Sequence, residues 1–206
     1  MHGIEKCRRL TLCHLCSSFG SLHPNGHSLL SAGLDCHVKL WDLRMMETGN
    51  VKSGSSSNNN SKRKRSASET SSIAWYNGGK SVNSAFFSPS GQYVVSTTMA
   101  NKLDIFENLH TATTNVAKPC KNIVHDNMTG RWLTTFMAKW HPSLDLFVVG
   151  SMQRPRAIEV FAPTHRQCAI SGEQLTAVAS RCCFHPSTDQ LIIVGGNSSG
   201  RVTVIR

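Results

Sequence analysis

The chain has 206 residues, of which 39% are hydrophobic, and this is enough apolar material for a sizeable buried core. Its 22 Lys and Arg residues exceed its 12 Asp and Glu residues, which gives a formal net charge of +10. This charge favours anionic partners, nucleic acid before a membrane surface, although basic residues also serve simply to keep a surface soluble. No apolar stretch approaches the length of a membrane span, and the first residues lack a signal-peptide core. We therefore expect an intracellular protein that does not enter membranes.

Residues 1–44 contain the first portion of a β unit. A strand of small residues ends at Leu22 and is followed by His23-Pro24, a polar turn and an apolar run that ends at Trp41-Asp42. The only metal-like pattern, Cys13-x-x-Cys16 with Cys7 and His14 nearby, lacks the second Cys pair of a zinc finger. We therefore expect free thiols and no bound metal.

Residues 45–72 form a Ser-, Asn- and Gly-rich segment with almost no large apolar side chain. Such a composition cannot bury enough surface to offset the entropy of ordering, so we predict a disordered basic insertion. Four consecutive basic residues within it, Lys62, Arg63, Lys64 and Arg65, resemble a nuclear import signal and predict a nuclear protein. The alternative is an ordinary solvated linker.

Residues 73–206 begin with a predicted outer strand, residues 73–76, and repeat the first unit three more times. Each copy carries His-Pro or Ser-Pro, then a polar turn and two further β runs, and the four copies are marked by Pro24, Pro89, Pro142 and Pro186. The last two copies are spaced by about 44 residues, a normal period for a propeller blade. The pattern predicts an all-β propeller with about four blades, the last of which ends after its third strand.

Side chains before each proline indicate how the units pack. A large apolar residue stands two positions before the proline and a small residue four positions before it, and alternate strand residues share one face. We expect each such pair to contact a neighbouring blade. The pairs are Leu22 with Gly20, Phe87 with Ala85, Trp140 with Ala138, and Phe184 with Cys182.

Four motifs relate the chain to a known family. Residues 41–44, Trp-Asp-Leu-Arg, are typical of WD40 repeats. Residues 125–134 (His-Asp-Asn-Met-Thr-Gly-Arg-Trp-Leu-Thr), 150–156 (Gly-Ser-Met-Gln-Arg-Pro-Arg) and 195–200 (Gly-Gly-Asn-Ser-Ser-Gly) together resemble the WD repeat-containing protein 76 family. The chain is more distantly similar to the small subunit of the UV-damaged-DNA-binding complex. Because these proteins have seven blades, the resemblance covers roughly their C-terminal half.

The resemblance implies two activities and no cofactor. One is binding of DNA, including damaged or modified DNA. The other is service as a substrate-receptor subunit of a cullin-4 ubiquitin ligase, whose propeller adaptor docks on a Trp-Asp-x-Arg motif matched here by Trp41, Asp42 and Arg44. Chromatin proteins are a further class of expected partner. The alternative role for Arg44 is a solvated strand-end arginine paired with a nearby acid.

Strand direction assigns the remaining candidates to one face. In an up-down blade, the link between blades and the turn between the second and third strands emerge together, whereas Arg44 emerges at the opposite end. We place a first strand at residues 135–140, after the link at 125–133. The DNA-binding candidates on the shared face are Arg131, Trp132, Arg154, Arg156, Lys102, Arg201, His125 and Asn127.

These candidates have different predicted roles. Arginines suit phosphates, because a guanidinium is permanently charged and its donors are forked. Trp132 is suited to stacking on a base, or alternatively to covering the inner end of a blade. His125 and Asn127 are suited to a base edge, or alternatively to hydrogen bonds within their own loop. The UV-damage relative inserts Phe-Gln-His into the lesion, whereas this chain has Gly130-Arg131-Trp132.

The sequence offers little for catalysis. It has no Gly-rich phosphate loop, no His-Glu-x-x-His and no Gly-x-Ser-x-Gly, and its twelve acids are scattered. We therefore expect a binding protein and not an enzyme. The main alternative to DNA binding is a general WD40 scaffold that binds only proteins.

Overall fold

The computed structural model describes residues 17–47, 72–112, 115–186 and 191–206. These residues form four antiparallel sheets, each made of strands that are consecutive in the chain. Outside the strands, the described residues contain one short helix, α1 (Leu43–Glu47), and one 3-10 turn (Leu109–Thr111). The all-β prediction is confirmed.

Each sheet follows the chain order of its strands. The first contains β1 (Ser17–Leu22), β2 (Ser28–Gly33), β3 (His37–Asp42) and β4 (Ala74–Asn77). The second contains β5 (Val82–Phe87), β6 (Tyr93–Thr98), β7 (Lys102–Glu107) and β8 (Lys121–Val124). The third contains β9 (Lys139–Trp140), β10 (Phe147–Gly150), β11 (Ala157–Phe161) and β12 (Arg166–Ser171). The fourth contains β13 (Arg181–Phe184), β14 (Ile193–Gly196) and β15 (Val202–Ile205).

The sheets are arranged like the blades of a propeller. Their first strands contact one another in succession, β1 with β5, β5 with β9, and β9 with β13. This arrangement places the first strands around a common axis and the last strands towards the outside, as in a propeller. The predicted outer strand is present as β4, which pairs with β3.

One predicted strand is much shorter than expected. The sequence predicted a first strand over residues 135–140, but only β9 (Lys139–Trp140) pairs with β10. The preceding residues form a loop, in which the Ala138 amide donates to Thr97 Oγ1 at 3.1 Å. The Thr97 side chain of sheet 2 thus accepts the hydrogen bond that a neighbouring strand would otherwise accept. The alternation of apolar and polar residues over 135–138 therefore reflects packing against sheet 2 and not strand pairing.

Three apolar layers, each between two successive sheets, make up the core. The first layer joins Leu30 and Leu40 to Ala85 and Phe87, and the second joins sheet 2 to Phe136 and sheet 3. The third layer joins Val148 and Ile158 of sheet 3 to Cys182 and Phe184 of sheet 4. Cys182 behaves as a small core residue, and its burial raises the pKa of its thiol to about 12.

The residues before each proline pack as predicted. The pairs Ala85 with Phe87, Ala138 with Trp140 and Cys182 with Phe184 all face the preceding sheet. In the first sheet the equivalent Leu22 is 54% exposed, because the described residues contain no sheet before it. The spacing therefore predicted that these pairs contact a neighbouring sheet, and the structure shows that this is the preceding one.

In two of the His-Pro turns, the histidine links one sheet to the next. His23 Nδ1 accepts from the Asn25 amide at 3.0 Å, and its ring lies 4.8 Å from Phe87 in sheet 2. In the same way His141 Nδ1 accepts from Ser143 and Leu144, and its ring lies 5.0 Å from Phe184 in sheet 4. Each histidine thus caps its own turn and packs on the phenylalanine of the following unit.

Candidate nucleic-acid interface

Seven connecting segments lie at one end of the strands, and we call this end the linker face. Strands alternate in direction, so links between sheets and turns between second and third strands emerge at the same end. The segments are residues 34–36, 78–81, 99–101, 125–138, 151–156, 172–180 and 197–201. Hydrogen bonds bring neighbouring segments together. The Asn127 backbone amide donates to Asn101 Oδ1 at 3.1 Å, and the Thr134 and Ser180 hydroxyls lie 2.5 Å apart.

His125 and Asn127 are buried in this face. Asn127 is fully buried, and its Nδ2 donates to the Thr98 carbonyl at 2.9 Å as well as to that of Lys102. Its Oδ1 lies 2.7 Å from His125 Nδ1. These contacts correspond to the alternative in which both residues hydrogen-bond within their own loop, and neither side chain is exposed to read a base edge.

Arg131 and Trp132 lie at the exposed tip of the segment 125–138. Gly130 has a positive φ of 67°, a backbone conformation that favours glycine. Trp132 is 91% exposed and Arg131 is exposed, and within the described residues no carboxylate lies within salt-bridge distance of Arg131. Trp132 therefore does not cover the inner end of a blade, and both side chains are accessible to a partner.

The two arginines of segment 151–156 differ from each other. Arg154 is exposed, and among the described side chains no acid pairs with it. Arg156 is half-buried, and its NH1 donates to the Met152 carbonyl of the same loop. Arg154 is thus available to an anion, whereas Arg156 stabilises the loop that carries it.

Lys102 and Arg201 also have partners within the protein. Lys102 Nζ donates to the Tyr76 hydroxyl at 2.7 Å and lies 3.4 Å from Asp104 Oδ1. Burial opposes the charged form of Lys102, but these two contacts outweigh it and raise the pKa of the lysine. Arg201 is exposed, and its NH1 donates to Thr176 Oγ1 at 2.6 Å. Lys102 thus joins sheets 1 and 2, while Arg201 keeps most of its donors free for a ligand.

The Trp-Asp-x-Arg motif lies at the other end of the strands. Trp41 is buried, and its Nε1 donates to Ser31 Oγ at 2.8 Å, so it joins β3 to β2. Arg44 is exposed and binds Asp42 in a bidentate manner, with Nε to Oδ1 at 3.0 Å and NH2 to Oδ2 at 2.7 Å. The hydrogen bonds from Arg44 lower the pKa of Asp42 to about 2. This geometry matches the alternative of a strand-end arginine paired with a nearby acid, and it leaves the outer side of the guanidinium accessible.

A cavity between sheets 2 and 3 contains functional groups that the sequence did not reveal. It has a volume of about 280 Å³ and lies between β8 of sheet 2 and β11 and β12 of sheet 3. Its lining includes the buried Glu159, whose carboxylate lies 3.2 Å from Arg166 NH1 and 3.6 Å from His125 Nε2. Glu159 is a charged residue inside the apolar run of β11, and such a position is unusual. It was the only feature of the sequence that could have indicated this site.

Other predicted residues lie outside the described residues. These include the proposed import signal of Lys62, Arg63, Lys64 and Arg65, most of the insertion 45–72, and Cys7, Cys13, His14 and Cys16. Among the described residues no cluster of three or more His, Cys, Asp or Glu side chains is arranged to bind a metal ion. In this part of the chain no helix is both long and apolar enough to cross a bilayer.

Comparison with known proteins agrees with this fold. Residues 6–42 match the family model "WD domain, G-beta repeat", and the match ends at the Trp41-Asp42 pair of β3. Together with four radial sheets, this match defines the chain as a partial WD40 propeller.

Individual relatives show which WD40-repeat proteins the chain is similar to. Over 128 residues the chain is 41% identical to WD repeat-containing protein 76 of Mus musculus, covering 61% of this chain and 20% of that protein. The Xenopus laevis protein of the same name is 39% identical over 61% of the chain and 22% of its own length. The DNA damage-binding protein CMR1 of Chaetomium globosum is 31% identical over 88% of the chain and 34% of its length. The chain is therefore a WD40-repeat protein related to both groups, and the resemblance to WD repeat-containing protein 76 that its motifs indicated is confirmed. It spans about a fifth to a third of the length of these relatives.

Proposed function

We propose that the chain is a non-catalytic DNA-binding part of a WD40 propeller, and that DNA contacts its linker face. The observation that carries this proposal is the exposure of Arg131, Trp132 and Arg154 on one face, with no described acid partner for either arginine. Forked guanidinium groups bind phosphates, and an exposed indole stacks on bases. The net charge of +10 and the name of the CMR1 relatives, DNA damage-binding protein, support the same conclusion.

Different residues of the linker face contribute in different ways. Arg131 and Arg154 would neutralise phosphates, with Arg201 as a weaker contributor because one of its NH groups already binds Thr176. Arg156, Lys102, His125 and Asn127 would act indirectly, since their hydrogen bonds hold the loops that present the exposed arginines. Binding through phosphates is largely independent of sequence and strongly dependent on salt.

The test is the salt dependence of duplex binding. We expect the affinity of the chain for a short duplex to fall steeply with salt concentration. Removing one phosphate contact should lower the slope of log K against log salt by about 0.9, so Arg131→Ala and Arg154→Ala should each do so. The matched control is Arg44→Ala at the opposite end, which should leave the slope unchanged. Absence of salt-dependent binding would leave the general protein scaffold as the better interpretation.

We also propose that the opposite end docks on the propeller adaptor of a cullin-4 ubiquitin ligase through Arg44. The side chain of Arg44 is 67% exposed, and its bidentate contact with Asp42 fixes its direction at the end of β3. In this proposal Trp41 supports the strand from within and Asp42 orients the guanidinium. The two proposed surfaces lie at opposite ends of the strands, so DNA and ligase would bind at the same time. Such a receptor would act in the nucleus, on DNA or chromatin proteins, in the response to DNA damage.

Co-purification tests the docking proposal. Arg44→Ala should abolish recovery of the adaptor with the chain, while Arg131→Ala, at the other end, should recover it normally. Recovery that Arg44→Ala leaves undiminished would exclude this docking site.

A further inference from the structure

The first strand of each sheet carries one residue that stands three positions before the proline. Its neighbour, two positions before the proline, packs on the preceding sheet, and alternate strand residues point to opposite sides. Because the first strands surround the axis, these residues lie at the inner edge of the sheets. They are Ser21, Phe86, Lys139 and Cys183. Lys139 Nζ lies 3.6 Å from the centre of the Phe86 ring, so contact at this edge runs from sheet 3 to sheet 2.

A second cation lies beside Lys139 at this edge. The first strands of sheets 3 and 4, β9 and β13, are in contact, and Arg181 stands on the same side of β13 as Cys183. Burial lowers the pKa of Lys139, and the positive charge of Arg181 lowers it further, while Cys183 acts in the opposite direction. Two positive side chains are therefore close enough to repel each other.

Neither cation is compensated within the described part of the chain. Lys139 is half-buried and Arg181 is exposed, and no described carboxylate lies within salt-bridge distance of either. The Phe86 ring attracts the ammonium charge but is a poor acceptor for its three hydrogens. A charged group that loses water is normally paired, so a half-buried lysine beside an arginine and without an acid is unusual.

The chemistry of this pair fits an oxyanion that carries two negative charges. A guanidinium offers forked donors and an ammonium offers a compact charge, and both bind phosphate. A phosphate monoester carries a charge of about −1.5 to −2 at neutral pH, whereas a carboxylate or a phosphodiester of DNA carries one. Since Coulomb attraction grows with charge, the monoester gains the most between two cations.

The pair lies apart from the proposed DNA surface. The first strands run from the linker face to the proline turns, and Lys139 is only two residues from His141 of such a turn. Arg131, by contrast, lies at an exposed loop tip. A side chain of a partner protein can reach the inner edge of the sheets from the turn end, whereas the phosphates of a duplex are held along its two strands. This position favours a protein partner.

We propose that Lys139 and Arg181 form a binding site for a phosphate monoester on a phosphorylated serine or threonine of a partner protein. The site goes beyond the proposed DNA binding and does not depend on it.

The test titrates the 206-residue chain, labelled with 13C-lysine, with N-acetyl-phosphoserine methylamide. The NMR signal of the Lys139 side chain, assigned from its loss in Lys139→Gln, should move saturably. The bound dianion should also raise the pKa of Lys139, because an opposite charge favours the ammonium form. Calorimetry should show about tenfold weaker binding for Lys139→Gln and for Arg181→Gln, as expected from loss of one charge-assisted hydrogen bond. The matched control, Lys121→Gln on the exposed outer strand β8, should bind the probe normally.

Three results would overturn this inference. The first is a Lys139 signal that the probe does not move, or equal weakening by Lys121→Gln, which would indicate only general attraction to a basic chain. The second is equal affinity for N-acetyl-glutamate methylamide, which would remove the preference for a dianion. The third is movement of the Lys139 signal by a duplex without terminal phosphates, which would assign the pair to DNA. If Lys139→Gln does not fold, the exposed Arg181→Gln provides the same comparison.

Discussion

At Gly150, the end of β10 closely approaches the link that leads to sheet 4. We expect this close approach to make the stability of the chain sensitive to any side chain added at this position. A Cβ atom placed on Gly150 would lie 1.8 Å from the carbonyl oxygen of Ala179 and 2.9 Å from its carbonyl carbon. Ordinary van der Waals contact begins at 3.4 Å, so the two backbones would have to separate by about 1.6 Å. No change of rotamer relieves a clash between a Cβ atom and a backbone oxygen.

We therefore expect Gly150→Ala to cost free energy at the upper end of the overpacking range, about 3 kcal/mol. For a chain of this size, that loss lowers the melting temperature by roughly 6–12 °C. The matched control is Gly172→Ala, because an added Cβ at Gly172 meets nothing within 4 Å and its φ is not positive. This control should be neutral or stabilise by up to about 1 kcal/mol, since alanine restricts the unfolded chain.

Thermal unfolding followed by circular dichroism measures both variants. Equal melting temperatures for Gly150→Ala and Gly172→Ala would refute the packing of β10 on the link to sheet 4. Because Gly150 directly precedes the segment that carries Arg154, the same variant should also weaken duplex binding.

Two further predictions concern the Trp-Asp-x-Arg motif. Because Arg44 lowers the pKa of Asp42 to about 2, the ion pair should persist as pH falls through the ordinary range of Asp and break only near pH 2. In Arg44→Ala the carboxyl titration seen by NMR should move up to the ordinary Asp range, and an unmoved midpoint would contradict the pair. Trp41→Phe removes the buried hydrogen bond to Ser31 and should cost about 1–3 kcal/mol of unfolding free energy. A fully stable Trp41→Phe variant in denaturant titration would argue against that bond.

Local sequence was sufficient for the fold because each unit repeats the same alternation of apolar and polar residues. The large and small residues before each proline predicted a strand face that packs on a neighbouring sheet, and the structure confirms such packing, on the preceding sheet, for sheets 2 to 4. The strand at residues 135–140 was predicted too long, since alternation also arises where a loop packs on a neighbouring sheet. The sequence alone cannot tell ladder pairing from such packing.

The candidate site was only partly predictable because its hydrogen-bond partners come from other units. Nothing near Lys102 in the sequence indicates that Tyr76 of sheet 1 binds it, and the Thr176 partner of Arg201 lies in another link. Topology assigned Arg131 and Arg154 to one face, and in the structure both lie at exposed loop positions without described acid partners. Glu159 was overlooked because His125, which lies beside it, belongs to the link between sheets 2 and 3 and is distant from it in the sequence.

The central proposal is that DNA contacts the linker face through Arg131 and Arg154, and arginine protection tests it most directly. The chain is treated with phenylglyoxal, which modifies accessible guanidinium groups, with and without a saturating duplex, and each site is quantified by mass spectrometry. We predict that duplex protects Arg131 and Arg154, while Arg44 at the opposite end is modified at the same rate in both samples. Protection of Arg44 with no protection of Arg131 and Arg154 would contradict the proposal.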